Sequence, residues 1–342
     1  MSKSEKKPKI TTIFDIAREA GVSYSTVSRT LNGYEFVKAS TREKVLRVAE
    51  ELGYVPNAQA RSLAGGRSQL IGVLVPTLSN GYITEIIQAI DEELAESDYN
   101  QILYTTRRHQ GKESIYAATI MNGAADGLLL VVPLISTPYL EALRQQEFPY
   151  VLIDQADPTG QSAVVRGANK EGAYRATQYL IDLGHRRIGF ITGLIGLQSA
   201  AERFEGYKAA LFDHGIPLQD DYIVEGSFRM YVGYQAAQDL LTLAEAPTAI
   251  FAANDLSALG AMEAIRERGM RIPEDISVVG FDDIPQVSAA YPKLTTVKQP
   301  LKEMGRVAVN MLLEKLENPG LAPRQVILET QLIIRDSCQS PR

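Results

Sequence analysis

From Leu70 onwards, short apolar runs alternate with amphipathic helical patterns, and this alternation constrains the fold more than any other feature. The runs LIGVLVP and QILYTT are each followed by a helical pattern, and so are several later runs. Buried strands that alternate with helices are typical of parallel α/β sheets. The alternation restarts after residues 158–160. The sequence therefore predicts two α/β lobes with parallel sheets instead of one large sheet.

Composition excludes several classes of protein. Hydrophobic residues make up 45% of the 342 residues, but no apolar run approaches the roughly 18 residues that cross a membrane. The N-terminus, MSKSEKKPKITT, lacks the apolar core of a secretory signal. Cys338 is the only cysteine, which excludes an intramolecular disulfide and argues against a cysteine-based metal site. These features predict a reducing, cytoplasmic location.

Charge is distributed unevenly along the chain. Residues 1–67 carry twelve basic and seven acidic side chains, so their net charge is +5, whereas the whole chain has a net charge of −6. The remaining residues therefore hold −11. A basic head on an acidic body indicates that the head meets a polyanion such as DNA. A solvated basic tail is the alternative interpretation.

Residues 12–55 show helical periodicity in three short pieces. Gly21 is placed to end the first piece, Ser23 to cap the second, and Ser40 or Thr41 to cap the third. Two short helices separated by a glycine-containing turn, with a third helix packed on them, describe an all-α helix-turn-helix headpiece.

The second of these helices, SYSTVSRTL, carries the residues that could read DNA. Val27 and Leu31 are predicted to face the core. The residues that then point outward are short donors, an aromatic ring and an arginine: Tyr24, Ser25, Ser28 and Arg29. An arginine can bond two acceptors on a guanine edge. Four hydroxyl side chains are placed to hold phosphates, which position a protein on DNA without reading sequence: Thr12, Ser23, Thr26 and Thr41.

Signs of catalysis are missing from the sequence. The three histidines are scattered, and no phosphate-binding loop, dinucleotide fingerprint or nucleophile elbow is present. We therefore predict no enzymatic activity, no cofactor and no metal site. In open parallel sheets, ligands bind beyond the carboxyl ends of the strands. A cleft between two lobes would gather these ends around a small molecule.

The segment TTIFDIAREAGVSYSTVSRTLNG resembles the N-terminal headpiece of the lactose-repressor (LacI/GalR) family of bacterial transcription regulators. The resemblance continues through STREKVLRVAEELGYVPNAQARSLAGGRSQLIGVLVP. It covers essentially the rest of the chain, including AIFAANDLSALGAMEAIRERGMRIPEDISVVGFDD. It implies a DNA-binding regulator, with repression as the expected activity, and a two-lobed effector domain like the periplasmic sugar-binding proteins.

The resemblance assigns residues on the DNA side. Tyr24, Ser25 and Arg29 match the base-reading positions of the family, and Ser28 and Asn32 match supporting contacts. The segment 57–64 matches a hinge that becomes a helix only on operator DNA. Its DNA-contacting positions are Asn57, Ala60, Arg61 and Leu63. Leu63 matches a leucine that wedges into the minor groove, which kinks the duplex.

On the effector side, the resemblance implies that Arg203 clamps ligand hydroxyls or a carboxylate, with Asp282 facing it. The other matching positions are Asn80, Tyr82, Asp154, Ser199, Phe228 and Asn254. A sugar is the expected effector, although the chain has no tryptophan for a sugar platform. A nucleobase between Phe228 and Tyr82 is the alternative. Arg107 and Arg108 are interpreted as a solvated pair, with an anionic ligand as the other reading.

The implied organisation has four parts. They are a headpiece over 1–56, a hinge over 57–68, an N-terminal lobe over 69–167 and 298–327, and a C-terminal lobe over 168–297 and 328–342. The chain end IIRDSCQSPR carries no leucine heptads, so we expect a homodimer on a pseudo-palindromic operator in the cytoplasm, associated with the nucleoid. A small-molecule binding protein without a regulatory role, such as a transport receptor, and a sugar-modifying enzyme remain the alternatives.

Overall fold

A computed structural model describes residues 11–31, 36–54, 67–134 and 138–342. The chain divides into two compact units, Met1–Gly66 and Arg67–Arg342. The described part of the first unit is helical, and the second unit contains two sheets whose strands alternate with helices. This confirms the predicted fold class. Within the described residues, no helix is both long and apolar enough to cross a membrane.

The described part of the first unit forms three helices: α1 (Ile13–Ala20), α2 (Tyr24–Leu31) and α3 (Ala39–Glu51). Thr12 caps α1, because its side chain accepts from the Asp15 amide and the Asp15 carboxylate accepts from the Thr12 amide. Gly21 ends α1 in the left-handed conformation, with φ of 62°. Ser23 Oγ accepts from the Thr26 amide at 3.2 Å, which confirms the predicted cap of α2.

The predicted cap of α3 is wrong. The helix begins at Ala39, and Lys38 is its N-terminal boundary residue without a side-chain cap. The carbonyl of Lys38 accepts from the amides of Thr41 and Arg42, both at 3.0 Å. Because the backbone starts the helix at this point, Ser40 and Thr41 lie inside its first turn.

The three helices share one small apolar core. Its buried side chains come from all three helices: Ile16, Ala17, Ala20, Val27, Val45, Val48 and Ala49. Leu31 and Tyr54 pack against this core from its edge. Because α2 turns Val27 inward, the opposite side of α2 remains outside the core.

The described residues of the second unit form twelve strands: β1 (Leu70–Val75), β2 (Asn100–Thr105), β3 (Gly127–Val131), β4 (Tyr150–Ile153), β5 (Ala163–Gly167), β6 (Ile188–Ile191), β7 (Ile223–Val224), β8 (Ala249–Ala252), β9 (Ser277–Asp282), β10 (Thr295–Lys298), β11 (Gln325–Leu328) and β12 (Gln331–Ile333). The first sheet has the order β11-β5-β4-β3-β1-β2 and is fully parallel. The second has the order β12-β10-β9-β8-β6-β7, and only β12 runs antiparallel.

Over residues 67–134 and 138–342, eight α-helices accompany these strands: α4 (Gly81–Leu94), α5 (Gln110–Thr119), α6 (Pro138–Gln145), α7 (Asn169–Asp182), α8 (Gln198–Asp213), α9 (Met230–Leu240), α10 (Asp255–Glu267) and α11 (Leu301–Glu317). Shorter helical turns cover Ile120–Ala124, Asp220–Tyr222 and Pro285–Ala289. Helix α11 packs against α4 and against three strands of the first sheet, so the late helix of the chain completes the first lobe.

The chain crosses between the lobes after β5, β10 and β11, and two of these connections are directly bonded. The Ala168 amide donates to the Leu328 carbonyl at 2.9 Å, and Thr330 Oγ1 donates to the Ala168 carbonyl at 3.2 Å. Lys298 still pairs within the second sheet and Leu328 within the first. These two strands therefore each extend one residue past the lobe boundary expected from sequence.

Helices α7 and α8 approach each other at Gly206. A Cβ atom at this position would overlap the backbone carbonyl oxygen of Lys170 on α7. A backbone carbonyl cannot move aside as a flexible side chain can. Gly206 therefore sets the spacing of the two helices, and α8 also carries Arg203.

We predict that Gly206→Ala lowers the free energy of unfolding by about 1–3 kcal/mol, because overpacking forces the helices apart. The matched control is Gly111→Ala on α5, where an added Cβ meets no atom within 4 Å. That control should change stability by less than about 1 kcal/mol, because alanine is the better helix former. Urea unfolding of both variants measures the difference, and equal effects would contradict tight packing at Gly206.

Candidate nucleic-acid interface and ligand cleft

The side of α2 away from the headpiece core presents the predicted base-reading residues. Ser25 and Arg29 are exposed, and 45% of Tyr24 is exposed. Ser28 is half-buried, so it contributes less to this surface than the sequence suggested. The exposed face therefore consists of one hydroxyl, one phenol ring and one guanidinium.

The ring of Tyr24 stacks on Phe14 of α1, with 4.9 Å between ring centroids and 21° between planes. Phe14 is 67% exposed, and the sequence analysis did not assign it a role. Its exposure depends on how α1 and α2 cross, which helical periodicity does not report. The stack restricts the rotation of Tyr24 and so orders the exposed face before any partner binds.

The four predicted phosphate-holding residues all lie at a helix start. Thr12 and Ser23 precede α1 and α2, while Thr26 and Thr41 lie in the first turns of α2 and α3. Ser23 Oγ also lies 2.8 Å from Thr26 Oγ1 and 2.9 Å from Ser25 Oγ. Helix N-termini favour anions because their amides point outward without partners. The described positions of these hydroxyls are compatible with phosphate contact.

Five predicted DNA contacts cannot be located. Asn32, Asn57, Ala60, Arg61 and Leu63 lie outside the described residues. Their assignment to supporting contacts and to the hinge stays a prediction.

In the second unit, one cavity of about 60 Å³ lies between the lobes. All eight predicted effector positions line it: Asn80, Tyr82, Asp154, Ser199, Arg203, Phe228, Asn254 and Asp282. This volume is small beside the roughly 300–1,000 Å³ of pockets that hold drug-sized ligands. A ligand as large as a hexose therefore requires the lobes or the lining side chains to move apart.

Arg203 is the most constrained residue of the cleft, with 2% of its surface exposed. Its Nη1 lies 3.1 Å from Asp282 Oδ1 and donates to the Ala253 carbonyl at 2.5 Å, while Nε donates to Asn169 Oδ1 at 3.0 Å. The guanidinium also lies over the Phe281 ring, 3.9 Å from its centroid. These contacts hold the donors of Arg203 in a fixed orientation.

Burial shifts the pKa values of the acidic groups around Arg203. It raises the pKa of Asp282 to about 6, although the charge of Arg203 and a hydrogen bond from Gln299 both act to lower it. Burial likewise raises the pKa of Asp154, which the charge of Arg203 partly opposes. The pKa of Tyr82 is raised by burial and further by the charges of Asp154 and Asp282.

Two buried polar atoms of the cleft lack a hydrogen bond of good geometry within the described chain. They are Tyr82 Oη and Asp154 Oδ1, which both belong to the first lobe and lie close enough for each side chain to shift the pKa of the other. Buried polar atoms are nearly always hydrogen-bonded in folded proteins. A ligand hydroxyl that accepts from one and donates to the other would satisfy both.

The two predicted asparagines hold the loops that form the cleft. Asn80 Oδ1 accepts from the Tyr82 amide at 2.7 Å and caps α4. Asn254 Oδ1 accepts from the Ser257 amide at 3.0 Å, and its Nδ2 donates to the Phe228 carbonyl at 3.3 Å. Both caps fix a helix N-terminus at the cavity wall.

Backbone strain concentrates around the cleft. Residues with a positive φ lie where strands end and turn into the cleft loops: Arg107, Arg108, Val132, Asp154, Phe228, Asp282 and Asp283. Non-glycine residues rarely adopt this conformation, and where they do they cluster at functional sites. Asp282 has the largest of these values, 115°.

The sequence interpretation of Arg107 and Arg108 as a solvated pair is wrong for one of them. Arg107 is exposed, but Arg108 is half-buried and lines the cavity. The cavity is also lined by Pro76, Thr77 and Leu197, which lie in segments that the sequence places at strand ends, and by Ile83 and Val132, which sequence reasoning missed. They are apolar or small residues at strand and helix ends, and their residue types carry no signal of ligand contact.

Comparison with known proteins finds a matching family or domain in each of the two units. Residues 12–57 match the family described as bacterial regulatory proteins, lacI family, and residues 177–338 match the periplasmic binding protein-like domain. The ribose operon repressor of Haemophilus influenzae is 38% identical over 329 residues, covering 96% of this chain and 99% of its own length. The chain belongs to the lacI family of bacterial regulatory proteins.

Two solved structures of lacI-family members extend the match to three dimensions. The lac repressor dimer bound to operator and the anti-inducer ONPF is 31% identical, with a TM-score of 0.85 over 97% of this chain and 100% of the other. The complex of the transcriptional regulator CelR with cellobiose is 33% identical, with a TM-score of 0.75 over 96% of this chain and 99% of the other. The family resemblance expected from sequence is confirmed.

Glu113 lies on α5 behind Arg108 and is 4% exposed. Burial raises its pKa from an ordinary 4.5 to about 7, while hydrogen bonds from Leu134 and Tyr139 and the charge of Arg108 act to lower it. The folded protein therefore holds this proton to a higher pH than the unfolded chain does. Its contribution to stability is lost as the pH rises from about 4.5 through about 7.

We predict that Glu113→Gln removes the loss of stability that Glu113 causes as the pH rises. The melting temperature of the variant relative to the native protein should be higher at pH 8 than at pH 5. Glu263→Gln, at an exposed position of α10, is the control and should show no such difference. Thermal unfolding at both pH values measures the effect. A relative melting temperature of Glu113→Gln that does not change with pH would contradict the raised pKa.

Proposed function

We propose that this lacI-family protein is a repressor that binds a pseudo-palindromic operator as a homodimer and responds to a small sugar in the cleft. The observation that carries the DNA half is the ordered, exposed face of α2, with Tyr24, Ser25 and Arg29 outside the headpiece core. The relatives named above are repressors or regulators, and one is held on operator DNA.

The cleft supports the effector half of the proposal. It combines a fixed guanidinium at Arg203 with the unsatisfied polar atoms of Tyr82 and Asp154. Donors and acceptors that converge in a small cavity suit a polyhydroxylated ligand better than a flat apolar one. Cellobiose is bound by one structural relative, and we extend that class of ligand, not cellobiose itself, to this chain.

The proposal assigns no catalytic step to the cleft. Its carboxylates are engaged or buried beside a guanidinium, and the described residues contain no group of histidine, cysteine, aspartate or glutamate arranged to hold a metal ion. The protein acts on the chromosome in the bacterial cytoplasm. By linkage, a sugar that weakens operator binding must itself bind more weakly to the operator complex.

Arg29→Ala tests the reading face. We expect it to weaken binding to an operator selected from a random duplex pool by about 1–3 kcal/mol, because one base contact is lost. Binding to a scrambled duplex should change much less. Fluorescence anisotropy of both duplexes measures the two affinities.

Arg47→Ala on α3 is the matched control, since its side chain is 69% exposed on the same unit and pairs with the exposed Glu51. It should leave the ratio of the affinities for the selected operator and the scrambled duplex unchanged. If Arg29→Ala weakened both duplexes equally, Arg29 would contact phosphate, and the proposed reading face would be wrong.

The oligomeric state provides a separate test. We expect light scattering on a size-exclusion column to give twice the chain mass, with or without operator DNA. Two symmetric reading heads are needed for a palindromic site. A stable species of one or four chains would contradict the proposed homodimer.

A further inference from the structure

Three arginines at the cleft and the interlobe connections have acidic partners. Arg203 pairs with Asp282, Arg166 with Glu202 and Arg335 with Asp283, all within 3.1 Å. Arg108 differs from them. Within the described residues its guanidinium makes one hydrogen bond, to the Val132 carbonyl at 3.3 Å, and no ion pair. Because a guanidinium has five donor hydrogens, most of its capacity remains unused.

The surroundings of Arg108 make that unused capacity costly. The residue lines the cavity and is half-buried. Burial lowers the pKa of its guanidinium, and the charge of Arg229 lowers it further, while Glu113 and Asp154 oppose the shift. Arg108 follows β2 of the first sheet, and Arg229 precedes α9 beside the second sheet. Arg229 is exposed and directly follows Phe228, which lines the cavity, so a second positive charge lies beside the cavity on the second lobe.

We propose that the effector carries an anionic group, a carboxylate or a phosphate, which Arg108 binds from one lobe and Arg229 from the other. This inference rests on the proposed function, because it concerns the same cleft. It makes Arg108 a specificity-determining residue that separates acidic sugars from their neutral parents.

The remaining contacts of the cleft fit the other end of such a ligand. Tyr82 Oη and Asp154 Oδ1 are available for hydroxyl groups, and Arg203 is already neutralised by Asp282. An anion is therefore directed to Arg108 and not to Arg203. Guanidinium and carboxylate groups match as two parallel hydrogen bonds. An anion between Arg108 and Arg229 would also offset their repulsion.

The experiment compares neutral sugars with their acidic counterparts on the full-length protein. The probes are glucose, glucuronate and glucose 6-phosphate, galactose and galacturonate, and ribose and ribose 5-phosphate. Thermal shift identifies the binders and calorimetry gives their Kd. We expect at least one acid to bind at least tenfold more tightly than its neutral parent. The uronates and the sugar phosphates distinguish the two sources of negative charge.

Arg108→Gln should raise the Kd of the preferred acid by about tenfold or more, because a charge-assisted hydrogen bond is lost. It should leave the Kd of the neutral parent nearly unchanged. Arg229→Gln, at an exposed position, should also raise the Kd of the preferred acid. Arg107→Gln is the matched control, because this neighbouring arginine is exposed and does not line the cavity.

Three results would overturn the inference. The first is that no acid binds, and the second is that the acids and their neutral parents bind with equal affinity. The third is a preference for the acid that Arg108→Gln leaves unchanged, or that Arg107→Gln reduces by the same factor. Neutral sugars that bind and alter operator affinity would leave the proposed function intact in each case. The proposed function fails separately, if the protein shows no selective binding to any duplex.

Discussion

The buried pair of Arg203 and Asp282 is the interaction on which the cleft depends. Two opposite charges removed from water are stable only when hydrogen bonds satisfy their remaining atoms. Here those bonds come from the end of β8 through Ala253, from the start of α7 through Asn169, and from the connection after β10 through Gln299. The pair therefore ties the second sheet to a segment that links the lobes.

This arrangement explains why one cavity collects residues from distant parts of the chain. Parallel sheets bring the carboxyl ends of their strands to one edge, and each end must turn sharply into a loop. The turns at Asp154, Phe228 and Asp282 adopt positive φ without glycine. Such strain persists only where the surrounding structure holds it, and it keeps the side chains directed into the cleft.

The headpiece depends on a different kind of constraint. Its core is small, and its helices rely on local caps at Thr12, Gly21 and Ser23. Thr12 and Ser23 stand at helix starts, where the helix dipole also offers positive potential to phosphates. The acidic second unit has no comparable excess of basic residues. The opposite net charges of the two units therefore favour the headpiece as the part that meets DNA in the proposed function.

By itself, the sequence determined the fold class, the order of strands and helices, and the caps at Gly21 and Ser23, because these follow from periodicity and from neighbours a few residues away. The eight cleft positions were predicted from the resemblance and the strand-end rule together, and the folded chain places all eight at one cavity. The cap of α3 was predicted two or three residues too late, at Ser40 or Thr41, because the Lys38 carbonyl begins the helix before any capping side chain.

Only the tertiary structure decided which of two adjacent arginines enters the cleft. Arg107 and Arg108 are identical in type and nearly identical in φ, at 51° and 58°. The difference in their burial arises from contacts with other parts of the chain. The Val132 carbonyl after β3 accepts a hydrogen bond from Arg108, and Glu113 on α5 interacts with its charge. The stack of Phe14 on Tyr24 has the same origin, because it depends on how two helices cross. Contacts between elements decide burial, and no local pattern contains them.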